Sequence, residues 1–114
     1  MKRVLRKRNK MAITPSSGNV FADLQLQDAE EKHTKVRLAV TINQIIERAG
    51  LSQAAAADAL KINQPKISAL ANYRLDGFSV ERLMNFLNAL GQDVEIVIRK
   101  APGKRAAKIR VTAA

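Results

Sequence analysis

The chain has 114 residues, room for one domain, and 46% of them are apolar. With three Phe, one Tyr and no Trp, its core must be aliphatic, which suits a small helical domain. The absence of cysteine excludes a disulfide frame and a thiolate metal site.

The net charge of +10 is unevenly spread. Residues 1–10 carry six cations and residues 99–114 another six, with no acid in either stretch, while residues 11–98 sum to −2. Basic arms on a nearly neutral body suit phosphate binding with counterion release. They equally suit solvated ends, and charge alone does not decide between the two. No apolar run approaches the roughly 20 residues of a membrane helix. The basic start is followed by no apolar signal-type segment, so a cytoplasmic protein is expected.

Residues 13–19 have loop chemistry, and residues 20–24 suggest a short turn burying Phe21 and Leu24. Asp28 is placed to cap the first long helix, with Glu30 and Glu31 in its first turn, where the helix dipole favours acids. Leu38, Ile42, Ile45, Ile46 and Ala49 then form one apolar stripe at helical spacing, and Gly50 ends it. His33, on this helix, has no plausible ligand partners and reads as a solvated residue.

Ser52 caps a short, alanine-rich second helix, and Lys61, Ile62 and Asn63 form a turn. Asn63 caps the third helix, with Pro65 in the first turn and an Ile62–Ile67 staple across the cap. That helix fades near Asn72. Ser79 caps the fourth, with Phe78 and Leu83 as staple and Glu81 complementing the dipole. Leu83, Phe86, Leu87 and Leu90 form its stripe, and Gly91 closes it. The period then drops to two: Val94, Ile96 and Ile98 alternate with Glu95, Val97 and Arg99, predicting a strand. A lone strand leaves its backbone unsatisfied. Residues 108–112 offer a partner within the chain. The same strand of a second subunit offers another.

Two short helices around a tight apolar turn form a helix-turn-helix, whose second helix enters the DNA major groove by its N-terminal end. With the core direction taken from Ile67, Leu70 and Ala71, Pro65, Ala69 and Asn72 point most directly outward. Gln64 and Ser68 flank one side, Lys66 and Tyr73 the other. Glutamine matches adenine in a bidentate contact, and lysine reaches guanine O6 and N7. Pro65 and Ala69 offer only apolar contact, so DNA shape carries part of the reading. Gln53, at the start of the second helix, and Arg74, beyond the third, are phosphate candidates.

The run Leu51-Ser52-Gln53 followed by Asn63-Gln64-Pro65-Lys66-Ile67-Ser68 resembles the phage-repressor-like helix-turn-helix family, the Xre or Cro type. The resemblance spans roughly residues 38–90. It implies that Gln53 touches phosphate, that Gln64, Pro65, Lys66 and Ala69 face bases, and that Asn72 lies at the DNA backbone. Residues 16–24, 74–79 and 90–98 are similar to a HigA-type antitoxin subgroup, whose members bind a RelE-like ribonuclease toxin and repress their own operon. Lys61 and Tyr73 depart from the family where glycine is frequent.

The expectation is a mainly α, lambda-repressor-like bundle of four to five helices with a C-terminal dimerisation strand. Its parts are a basic arm (1–14), the DNA-binding domain (15–92), the strand (93–99) and a basic tail (100–114). Gln53, Asn63, Gln64, Pro65, Lys66, Ser68, Ala69, Asn72 and Arg74 are the candidate DNA-binding residues, and Val94, Ile96 and Ile98 the candidate dimer contacts. The expected function is a dimeric repressor of double-stranded operator DNA that also acts as antitoxin to a RelE-like toxin. The alternatives are a stand-alone Xre-type regulator and an RNA-binding protein, the latter disfavoured by the few stacking aromatics. No cofactor, metal or catalytic site is expected, because one histidine and no placed acid pair leave little chemistry.

Overall fold

A computed structural model describes residues 17–113, with side chains from residue 28 onward. The basic arm at 1–14 and the side chains of Phe21 and Leu24 lie outside this description. Four helices follow one another: α1 (Ser17–Arg48), α2 (Gln53–Leu60), α3 (Gln64–Ala71) and α4 (Val80–Ala89).

Helix α1 begins earlier than the sequence suggests. Its first turn holds no acid, and Asp28, Glu30 and Glu31 lie well inside it. Asp28 is therefore no cap. It pairs with Lys32 at 3.5 Å, and Glu31 pairs with Lys35 at 3.5 Å. An acid four residues before a base supports a helix from within, and here that pattern imitates a helix start. The loop-like residues 17–19 are carried into the helix. Leu38, Ala39 and Ile42 are buried, and Ile45 and Ile46 pack at the edge of the core, while Ala49 is exposed. Buried Thr34 donates its hydroxyl proton to the Glu30 carbonyl at 2.9 Å, so it leaves no unsatisfied polar atom.

Helices α2, α3 and α4 each start on a side-chain cap. Ser52 Oγ accepts from Ala55 N–H at 3.1 Å, Asn63 Oδ1 from Lys66 N–H at 2.9 Å, and Ser79 Oγ from Arg82 N–H at 3.0 Å. Each cap satisfies one of the donors that a helix start leaves open.

The four helix ends share one hydrogen-bond pattern, the Schellman motif. Leu51 N–H donates to Ile46, Ile62 to Ala57, Arg74 to Ala69 and Gln92 to Leu87, at 2.8 to 3.1 Å. The residue before each of these donors sits at positive φ: Gly50, Lys61, Tyr73 and Gly91. Glycine takes this conformation without steric penalty, but Lys61 (φ 57°) and Tyr73 (φ 59°) do not.

The core joins α1, α3 and α4 through Ile42, Leu70 and Leu83, all fully buried, with Ala56, Ala57 and Leu60 of α2 beside them. Phe78 and Phe86 meet edge-on, with centroids 5.8 Å apart.

Among the described residues no strand forms. Residues 94–99 have no ladder partner, and residues 108–112 do not pair with them. Beyond Gln92 no backbone–backbone hydrogen bond is present. Val94 and Val111 pack against the edge of the core, whereas Ile96 is 75% and Ile98 92% exposed. The two-residue period is real in the sequence, but a single chain supplies no partner edge to convert it into sheet.

The two strained positions lead to an expected outcome. Lys61→Gly and Tyr73→Gly should each stabilise the fold by about 0.5–1 kcal/mol, the relief of left-handed strain less the entropy glycine adds to the unfolded chain. Urea unfolding reads this directly, and a lower midpoint for both variants would contradict the strain.

Candidate nucleic-acid interface

Helix α3 has two unlike faces. Ile67 and Leu70 are buried, and Ile62, just before the Asn63 cap, packs against the same core. Gln64, Pro65, Ala71 and Asn72 are exposed, with Ser68 half-buried at their flank. An eight-residue helix is too short to persist alone, so these contacts fix it.

A side chain that the sequence reading did not single out adds a second fixture. Asn43 of α1 donates its amide to the Leu70 carbonyl at 3.2 Å, joining positions 27 residues apart. Leu70 is in the last turn of α3, where carbonyls lack helical partners. The available signal was an amide directly beside the apolar stripe of α1, next to Ile42.

Helix α2 lies close to α3, with Ala56 and Ala57 buried on its inner side, as small residues permit. Gln53 is exposed as the first residue of α2. Its neighbouring N-terminal amides, with the helix dipole, suit an anion.

The candidate residues divide as follows. Asn63 is exposed but its side-chain oxygen is engaged as the cap. Gln64 and Pro65 stand outward at the leading end. Asn72 is exposed and its amide donates back to the Ser68 carbonyl at 2.8 Å. Arg74 is exposed just past the helix.

Two positions differ from the helical projection. Ala69, expected outward, is half-buried and packs at the edge of the core. Ala71, used to set the core direction, is exposed. Ile67 and Leu70 alone define the inner face.

Lys66 is half-buried, and its ammonium lies 5.5 Å from the centroid of the Phe78 ring. Tyr73 is 45% exposed and lines a cleft with Val36, Leu75, Asp28, Glu31 and Asp76. His33 is exposed on α1, where the Arg37 guanidinium donates to its Nε2 at 3.4 Å. Among the described residues no cluster of acids or histidine is arranged to hold a metal ion. No described helix is long and apolar enough to cross a membrane.

Two short capped helices around a tight turn, with the second presenting a polar leading end, define a helix-turn-helix. A model of the family described as a helix-turn-helix domain matches residues 20–99. A solved structure named "Putative XRE Family Transcriptional Regulator" is 69% identical. It superposes with a TM-score of 0.74, over 76% of this chain and 99% of its own. No curated protein matches the chain. The chain belongs to the helix-turn-helix family, in its XRE branch, and its architecture is that of a DNA-binding regulator.

Proposed function

We propose that the protein is a dimeric transcriptional repressor that occupies an operator by inserting α3 into the major groove. The observation that carries this reading is the two-faced character of α3: Ile67 and Leu70 are held in the core while Gln64, Pro65 and Asn72 face solvent. In this arrangement Gln64 reads a base edge through its amide, and Pro65 gives apolar contact. Ser68 lies at the flank of the same surface. Gln53 and Arg74 grip the backbone on either side. Occupying DNA that overlaps a promoter is sufficient for repression, so no catalytic step is needed.

The second copy is proposed to pair along residues 94–98. This segment's backbone bonds to no other backbone among the described residues, and two isoleucines, Ile96 and Ile98, stand in the open. Pairing with its own equivalent satisfies both at once. A two-fold dimer then places two reader helices about 34 Å apart, one helical turn of DNA.

A second reading adds an antitoxin role. It is favoured by the similarity of residues 16–24, 74–79 and 90–98 to the HigA-type subgroup. In it the protein binds a RelE-like ribonuclease and represses the operon that encodes both.

Gln64→Ala should lower operator affinity by about 2 kcal/mol and erase preference at one base pair. Binding across all single-base operator variants measures this, and an unchanged profile would remove Gln64 from the reader. Replacing Ile96 and Ile98 with lysine, or ending the chain before Val94, should convert a dimer to a monomer. Sedimentation reads the state, and a persistent dimer would place the interface elsewhere. Purification from the native host should bring down a small basic RelE-like protein. A chain recovered without one is the stand-alone XRE-type regulator.

A further inference from the structure

Lys66 of α3 and Arg82 of α4 each carry their charge to within 6.0 Å of the Phe78 ring centroid. The Lys66 ammonium lies 5.5 Å from the Phe78 ring centroid. The Arg82 guanidinium, in the first turn of α4, lies 6.0 Å from Phe78 and 5.6 Å from Phe86. Both rings are buried and meet edge-on. A Cβ added to Gly77 would stand 3.8 Å from Lys66 Nζ, which places the ammonium over the turn that leads into Phe78. The Lys66 head therefore lies toward the turn that leads into α4.

Neither cation has a carboxylate partner among the described residues. The two ion pairs there are Lys32–Asp28 and Lys35–Glu31, on α1. Asp76, the acid in the turn between α3 and α4, lines the cleft beside Tyr73 and Leu75. An aromatic face orients a cation but leaves its charge uncompensated. Pre-ordering two long side chains on a fixed surface lowers the entropy lost when they bind an anion.

We propose that Lys66 and Arg82 form a phosphate seat that grips the DNA backbone beside α3. Lys66 thus positions the reader helix without reading a base, and Arg82 extends the contact surface onto α4. This inference rests on the DNA-binding reading above and assigns the backbone anchor of that same site. Its contribution is independent of sequence, as phosphate contacts are.

The test uses the full chain with a mixed-sequence duplex over a salt series, and a randomised duplex pool whose enriched sequences report base preference. Lys66→Gln and Arg82→Gln should each flatten the slope of log K against log salt by about 0.9, and together by roughly 1.8, leaving the enriched sequence unchanged. Lys66→Arg and Arg82→Lys should retain the slope, showing that charge at the seat matters and that the fold is intact. Lys32→Gln, which removes an ion-paired cation from α1, should leave the slope alone. A changed base preference in Lys66→Gln would make Lys66 a base reader and overturn the seat. An unaltered slope in Arg82→Gln would do the same. If the unmodified chain binds neither probe, the DNA-binding reading itself fails, an outcome distinct from both.

Discussion

The burial of Leu70 in the core that α3 shares with α1 is the constraint on which the rest depends. Helix α3 spans eight residues, below the length at which an isolated helix is stable in water. Its position comes from Ile67 and Leu70, sunk in a core that also holds Ile42 and Leu83. The Asn43 amide on the Leu70 carbonyl ties the same turn to α1 through a directional bond. Hydrophobic burial fixes how deep α3 sits, while the hydrogen bond restrains its rotation and slide. An interface that reads base edges needs both, since a small misplacement removes a bidentate contact.

The helix ends supply the geometry between these anchors. One end motif serves all four helices, yet glycine occupies its left-handed position only at Gly50 and Gly91, the outer two of the four. Lys61 and Tyr73 bracket α3 and adopt the same backbone at a steric cost. Both are exposed, so the strain is not compensated by burial of their own side chains. It is held by the elements on either side. Lys61 is fixed between Ala57 and Ile62, which the 3.0 Å bond from Ile62 N–H closes. Tyr73 is fixed in the same way by the 2.8 Å bond from Arg74 to Ala69. Helix α3 is thus clamped at both ends by turns that close on core residues.

Much of this was legible in the sequence, and the parts that were not fail for identifiable reasons. Ser52, Asn63 and Ser79 announced three helix starts because capping is local chemistry, set within four residues. The apolar pairs Ile62–Ile67 and Phe78–Leu83 reinforced two of them. The start of α1 was misplaced because Asp28 and Glu31 serve ion pairs inside a helix, a pattern that looks like a capped first turn when read alone. Ala69 and Ala71 exchanged places because alanine carries little weight in a projection, and packing at the edge of the core decided which was covered. Lys66 was read from its angle as flanking the outward face of α3. Its long stem instead crosses to Phe78, a residue outside α3. Arg82 had a signal that went unused: it lies four residues after one phenylalanine and four before another, a spacing that places it near both rings.

The segment after Gln92 obeys a different logic from the bundle. Within the bundle, backbone groups are satisfied by helices, caps and end turns, and the apolar stripes are covered. After Gln92 the described backbone makes no bonds to other backbone, and Val94, Ile96 and Ile98 alternate with Glu95, Val97 and Arg99. Val94 and Val111 tack the segment to the edge of the core, leaving Ile96 and Ile98 uncovered between them. Alternation is a strand pattern, and a strand is completed only by a neighbour. Local propensity can specify such a segment but cannot supply its partner. A single chain therefore carries a completed helix-turn-helix and an uncompleted edge, and in the dimer proposed above that edge sets one copy against the other.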